Sequence, residues 1–173
     1  MRAPSATRLR ALQAPLKERY RADPKAGLVT LRASGALDSA AIACKVETGK
    51  ALAVAGLHPA TGGTGADLCS GDMLLEALVA CAGVTLKAVA TSMGVALRSG
   101  EVTAEGDLDF RGTLGVDKQA PVGFKEIRLK FALDTEASQD QLDTLLKLTE
   151  RYCVVLQTLR ASPKIEARLV RAV

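Results

Sequence analysis

The sequence predicts one α+β domain, and three observations carry that expectation. Short runs of strand character lie before, between and after two long segments of helical character. No internal repeat or low-complexity tract divides the chain, and 173 residues fit one domain, or one domain with an extension. A chain of this length is able to bury most of the surface that its unfolded form exposes. With 48% hydrophobic but only 3% aromatic residues, its core has to be built from Ala, Leu and Val.

Residues 5–21 have helical composition interrupted by Pro15, which reads as a short exposed helix or a pair of turns ahead of Asp23-Pro24. Runs at 28–31, 41–46 and 51–54 follow, separated by Ser34-Gly35, Asp38-Ser39 and Thr48-Gly49-Lys50, and these read as a three-stranded meander. Residues 58–66 contain Pro59, Gly62, Gly63 and Gly65 and read as a long loop. Met73 to Met93 is the longest apolar segment, with Ser70 as N-cap and Gly94 as C′ stop. A membrane helix needs about 20 predominantly apolar residues. The charge-free stretch between Glu76 and Lys87 is only ten, so a buried helix of a soluble core is expected, with Ala77, Ala80, Ala82 and Gly83 admitting close neighbours. Residues 101–109 and 124–133 alternate as two longer strands, the second through Ile127, Leu129 and Phe131. Ser138 with Gln141 is a capping-box pattern leading into a helix marked by Leu142, Leu145, Leu146, Tyr152, Val155, Leu156 and Leu159. Pro163 bounds it, and Ile165, Ala167 and Leu169 alternate as a last strand.

The net charge of +4 is unevenly spread. Residues 1–26 carry Arg2, Arg8, Arg10, Lys17, Arg19, Arg21 and Lys25 against Glu18 and Asp23, whereas the remainder has a slight acidic excess. The basic pI therefore describes an N-terminal extension over 1–26 and not the domain over 27–173, which argues against nucleic acid as a partner. Scarce aromatics also argue against a single-strand stacking platform. The N-terminal charges are followed by no signal-type apolar run, so a cytoplasmic protein with no membrane partner is expected. In a reducing compartment the four cysteines, Cys44, Cys69, Cys81 and Cys153, are not expected to form a structural disulfide framework.

At about 100° per residue, Cys153 lies close to the Leu142 and Leu146 direction of its helix, on the buried stripe. Cys81 sits in the middle of the most apolar helix. Two readings follow: small buried hydrophobes, or a redox pair brought together by two core helices.

Residues 70–84, from Ser70-Gly71-Asp72 to Ala80-Cys81-Ala82-Gly83-Val84, resemble the first-cysteine helix of the OsmC/Ohr family. Leu148-Thr149-Glu150-Arg151-Tyr152-Cys153-Val154-Val155-Leu156 resembles its second-cysteine helix. The resemblance covers residues 28–170. It implies an OsmC-like fold, with antiparallel sheets packed around two long core helices in an intertwined homodimer. It further implies reduction of organic hydroperoxides, and of hydrogen peroxide as a further candidate, with Cys81 as peroxidatic and Cys153 as resolving cysteine. A Cys81 thiolate would form a sulfenic acid, then a Cys81–Cys153 disulfide that an external dithiol resets. No metal, flavin or other cofactor is implied.

Asp72 stands where the family usually has Glu, in the place of an acid that holds an activating arginine. It also reads as a favourable charge near a helix N-terminus. Arg32, Arg111, Arg128 and Arg151 are the candidate arginines. Where many members have Pro after the second cysteine, this chain has Val154, which leaves room for an unbroken helix. His58 is the only histidine, and with no Cys-x-x-Cys pair a structural zinc site is not expected. The glycines at 62, 63 and 65 lack the Gly-Lys-Ser/Thr of a phosphate loop. The rivals are a thiol-dependent activity on another electrophile and a non-catalytic dimeric binding module with both thiols buried.

Overall fold

The computed structural model describes residues 34–37, 43–47, 52–115 and 117–171, together with the isolated helical positions 6, 7, 11, 13, 14, 18 and 22. Strands β1 (Ser34–Leu37), β2 (Ala43–Glu47) and β3 (Leu52–Gly56) form an antiparallel meander. Leu37 pairs with Cys44, and Ala43 with Gly56. The expected run at 28–31 lies outside the described residues. The first described strand instead includes Ser34-Gly35, which the composition marks as a turn. Strand pairing with β2 overrides that local preference.

After β3 the chain makes one 3-10 turn, Pro59–Thr61, in which His58 Nδ1 accepts the Ala60 N–H at 3.0 Å. It then adds the two-residue strand β4 (Leu68–Cys69) parallel to β3. Cys69 is therefore strand-end rather than loop. Its extended backbone makes it the N-cap of helix α1 (Ser70–Met93), so Ser70 is already helical and is not the cap. The other end follows the sequence: Gly94 has φ +74°, and its N–H reaches the Ala90 and Thr91 carbonyls.

Strands β5 (Ser99–Asp107) and β6 (Glu126–Asp134) form an antiparallel ladder from Ser99↔Asp134 to Asp107↔Glu126. Their alternation turns Val102, Ala104, Ile127, Leu129 and Phe131 inward and leaves Glu101, Glu105, Arg128 and Lys130 exposed. Glu105 stands opposite Arg128, whose guanidinium also binds Asp107. A short helix α2 (Phe110–Thr113), capped by Asp109, lies in the connection. Helix α3 (Gln139–Tyr152) begins with the full capping box, Ser138 Oγ accepting from Gln141 N–H and Gln141 Oε1 from Ser138 N–H.

The long last helix expected from periodicity is in fact two. Cys153 has φ −74° and ψ 107°, ending α3 and preceding α4 (Val154–Arg160). Leu142 and Leu145 before the break and Leu156 and Leu159 after it all pack on the core. The apolar rhythm thus continues across an interruption to which it is blind. The expected last strand at 165–169 does not form. Residues 162–171 are neither helix nor strand, and Ile165 and Leu169 are 82% and 100% exposed. Alternation prepares a pleated face, but a strand also needs an edge to pair with.

By length and composition α1 would be able to cross a membrane. In the fold one stripe of it, Leu78, Ala82, Leu86 and Ala90, is buried against the chain's own core. Leu86 and Ala90 join Val95 and Leu145, while Leu78 and Ala82 join Cys153. Leu78 is wholly buried, and Leu78→Ala is expected to cost about 2–5 kcal/mol by removing contacts and leaving a cavity. Urea unfolding of the variant beside the parent measures this loss, and a loss under about 1 kcal/mol would contradict the packing described.

Candidate active site

Helix α1 carries Cys81 between Leu78 and Ala82 of its buried stripe, and the interruption between α3 and α4 delivers Cys153 to the same cluster. Cys153 is fully buried, whereas Cys81 is partly exposed. Both are free thiols. The order of access therefore separates them: a solute meets Cys81 first.

The interruption also exposes backbone donors. Cys153 N–H closes the α3 ladder on the Thr149 carbonyl at 2.9 Å, and Gln157 N–H opens that of α4 on the Cys153 carbonyl at 2.9 Å. Val154, Val155 and Leu156 between them carry the unpaired N–H groups of a new first turn. Burial pushes the Cys81 thiol up. The Val155 N–H, the Cys153 thiol, the Val154 N–H and Thr85 act against it, and together they bring Cys81 below the ordinary thiol value. Burial likewise pushes Cys153 up, and a charged Cys81 beside it raises it further, against the Leu156 and Val155 amides. The two neighbours are thus driven apart, the accessible sulfur releasing its proton more readily than the buried one.

The other anticipated residues are placed elsewhere. Asp72 is exposed in the first turn of α1, about 13 Å along the axis from Cys81 and nine steps round to the opposite side. Within one chain it does not meet the thiols. Arg111 is held by Asp109 and Asp117, and it keeps the Asp109 carboxyl at about 2. Arg128 is bound by Asp107, Glu105 and Glu126. Arg151 lies over the Tyr152 ring at 5.6 Å, and Arg32 is outside the described residues.

His58 caps its turn and stacks on Phe110 with ring centroids 4.8 Å apart. It lines a separate cavity of about 400 Å³ with Cys69 and Phe124. A larger cavity, about 760 Å³, is lined by leucines of α1, β6, α3 and α4 together with charged groups such as Lys125, Glu126, Asp143 and Arg160, and by neither thiol. No group of three or more His, Cys, Asp or Glu side chains suited to a metal occurs among the described residues.

A family model for OsmC-like proteins matches residues 63–168, a span that holds both thiols and every element from β4 to α4. The chain belongs to the OsmC-like protein family. Solved OsmC-like structures share its fold. An OsmC-like protein from Mycoplasma pneumoniae superposes with a TM-score of 0.64 at 15% identity, covering 78% of this chain and 89% of that one. An organic hydroperoxide resistance protein from Elizabethkingia anophelis gives 0.62 at 15% identity, covering 78% and 91%. The organic hydroperoxide resistance protein OsmC of Legionella pneumophila, also described as a predicted redox protein, gives 0.60 at 18%, covering 78% and 91%. No curated protein sequence matches. At such identities the likeness establishes the OsmC-like α+β fold.

Sequence reasoning missed Thr85 and the three amides. Thr85, four positions after Cys81, was legible as a neighbour on the same helix face. The amides carry no side-chain signature at all. The opposed shifts of the two thiols have a direct expectation. Iodoacetamide should modify Cys81 with a pH profile that levels off below that of a cysteine in an unstructured peptide, while Cys153 should require higher pH. Peptide-resolved mass spectrometry reads both, and coincident profiles would refute the asymmetry.

Proposed function

We propose that this OsmC-like chain is a cysteine-based peroxidase that reduces organic hydroperoxides. The observation that carries the reading is the adjacency of a partly exposed Cys81, whose thiol is made more acidic, and a fully buried Cys153, whose thiol is made less so. Family membership supports it, as do fold relatives described as organic hydroperoxide resistance proteins.

In this mechanism the Cys81 sulfur attacks the terminal oxygen of the hydroperoxide. An S–O bond forms, the O–O bond breaks, and the alkoxide leaves. Cys153, holding the nearest thiol proton, protonates the alkoxide to the alcohol. The resulting Cys153 thiolate attacks the Cys81 sulfenic acid, forming the disulfide and releasing hydroxide, which solvent neutralises. An external dithiol then reduces the disulfide by thiol–disulfide exchange and is itself oxidised. Asp72 enters this reading only across a subunit interface, since it stands on the far side of α1 from its own Cys81.

The working form in this reading is a homodimer. Helix α1 leaves Leu74 and Val84 exposed, the latter at 72%. Ile165 and Leu169 are bare as well, and a second copy would cover apolar side chains of this kind. Sedimentation equilibrium at micromolar concentration is expected to return twice the chain mass of 18.1 kDa; a monomer mass would count against this arrangement.

The chemistry is tested by mapping. One equivalent of an alkyl hydroperoxide should join Cys81 to Cys153 and leave Cys44 and Cys69 open to alkylation. Cys81→Ser should abolish peroxide consumption, while Cys153→Ser should leave a single turnover and a sulfenic acid trappable on Cys81. Full activity in Cys81→Ser, or a Cys81–Cys69 link, would overturn the proposal.

A further inference from the structure

The interruption at Cys153 has no local sequence cause. Neither Pro nor Gly occurs between Thr149 and Gln157, and these are the usual sources of a sharp break. Val154 keeps an N–H that in a continuous helix would bond the Glu150 carbonyl. In this fold Gln157 Nε2 donates to that carbonyl at 2.7 Å and ties it to α4. The same Glu150 uses its carboxylate to bind Arg160 through contacts of 2.9 and 3.3 Å. One residue before the break is therefore held at both its backbone and its side chain by the following helix.

We propose that Gln157, assisted by the Glu150–Arg160 ion pair, is a positioning residue that keeps α3 and α4 apart so that the Val154 and Val155 amides stay turned toward Cys81. A carbonyl has two lone pairs, so the effect is one of geometry: the Gln157 side chain turns the Glu150 carbonyl to itself and off the Val154 N–H, which has no backbone partner and remains available to the sulfur. Without it, the carbonyl is released and Val154 N–H can close the ladder across Cys153, withdrawing a donor from Cys81. Thr149 works in the same sense from the other side, its buried hydroxyl donating to the Leu145 carbonyl at 2.7 Å, a bond that favours helix bending. The inference rests on Cys81 being the reactive thiol of the preceding reading, but it concerns how that thiol is held and not what it reduces.

Gln157 is exposed, so Gln157→Leu removes the donor with little loss of core packing. The test is the pH profile of Cys81 alkylation by iodoacetamide in the full chain, followed by peptide-resolved mass spectrometry without any peroxide. In Gln157→Leu the profile is expected to move to higher pH. For each tenfold loss of thiolate the intrinsic nucleophilicity recovers about threefold, so alkylation at pH 7 should slow by about threefold. Thr158→Ala, exposed on the same helix, should leave the profile in place; an equal displacement there would overturn the proposal, as would an unmoved profile in Gln157→Leu.

Should Gln157→Leu fail to fold, Arg160→Ala decides. A displacement in the same direction, reversed in Arg160→Lys, supports the clamp, and no displacement refutes it. Absence of peroxide turnover in the parent protein would end the peroxidase reading while leaving this profile to be read.

Discussion

Everything distinctive about the thiol pair depends on where one ladder of backbone hydrogen bonds stops. A helix continuous through Cys153 would consume the amides of Val154, Val155 and Leu156 internally and leave two sulfurs in an apolar cluster, where burial alone raises both. Because the ladder closes at the Cys153 N–H and restarts at the Gln157 N–H, three donors fall between the segments with no backbone acceptor. Donors aimed at a charged acceptor form the stronger class of hydrogen bond. That difference separates a pair of inert hydrophobes from a pair whose acidities are driven apart.

The rest of the fold serves to bring this interruption against α1. The β5–β6 ladder supplies the floor: Val102, Ala104, Ile127 and Leu129 pack beneath Leu78, Ala82 and Cys153. Small residues set the approach. A methyl group built on Gly83 would make only an ordinary contact with a Val102 methyl at 3.7 Å, whereas one on Gly106 would meet the Phe124 ring at 2.5 Å. Gly106 must therefore remain without a side chain for Phe124 to close over the end of β5. The other half of the core, Leu86, Ala90, Val95 and Leu145, anchors α1 and α3 farther along and fixes the angle at which α3 presents its last turn.

Local chemistry was the legible part of this fold. Ser138 with Gln141 announced a capping box, Gly94 announced a left-handed stop, and strict alternation announced β5 and β6, because each signal is complete within a few residues. Features that depend on a distant partner were not. The strand β4 is two residues long and exists only through its pairing with β3, and the segment at 165–169 alternates without joining an edge among the described residues. Cys81 and Cys153 were recognisable from residue type, position and family resemblance. Their unequal environment was not, since it comes from backbone groups whose side chains, two valines and a leucine, say nothing about it. Asp72 shows the converse: a residue type suited to a role, at a position where helical geometry turns it away.

The two thiols lie about 70 residues apart in the chain, and their shared environment exists only once α4 has docked on α1. A ribosome adding about 5–20 residues per second makes Cys81 some 4–14 seconds before Cys153. During that interval Cys81 belongs to an apolar helix without the amides or the partner thiol that later govern it. Its acquired acidity is thus a property of the finished molecule, and the nascent chain carries the thiol still unawakened.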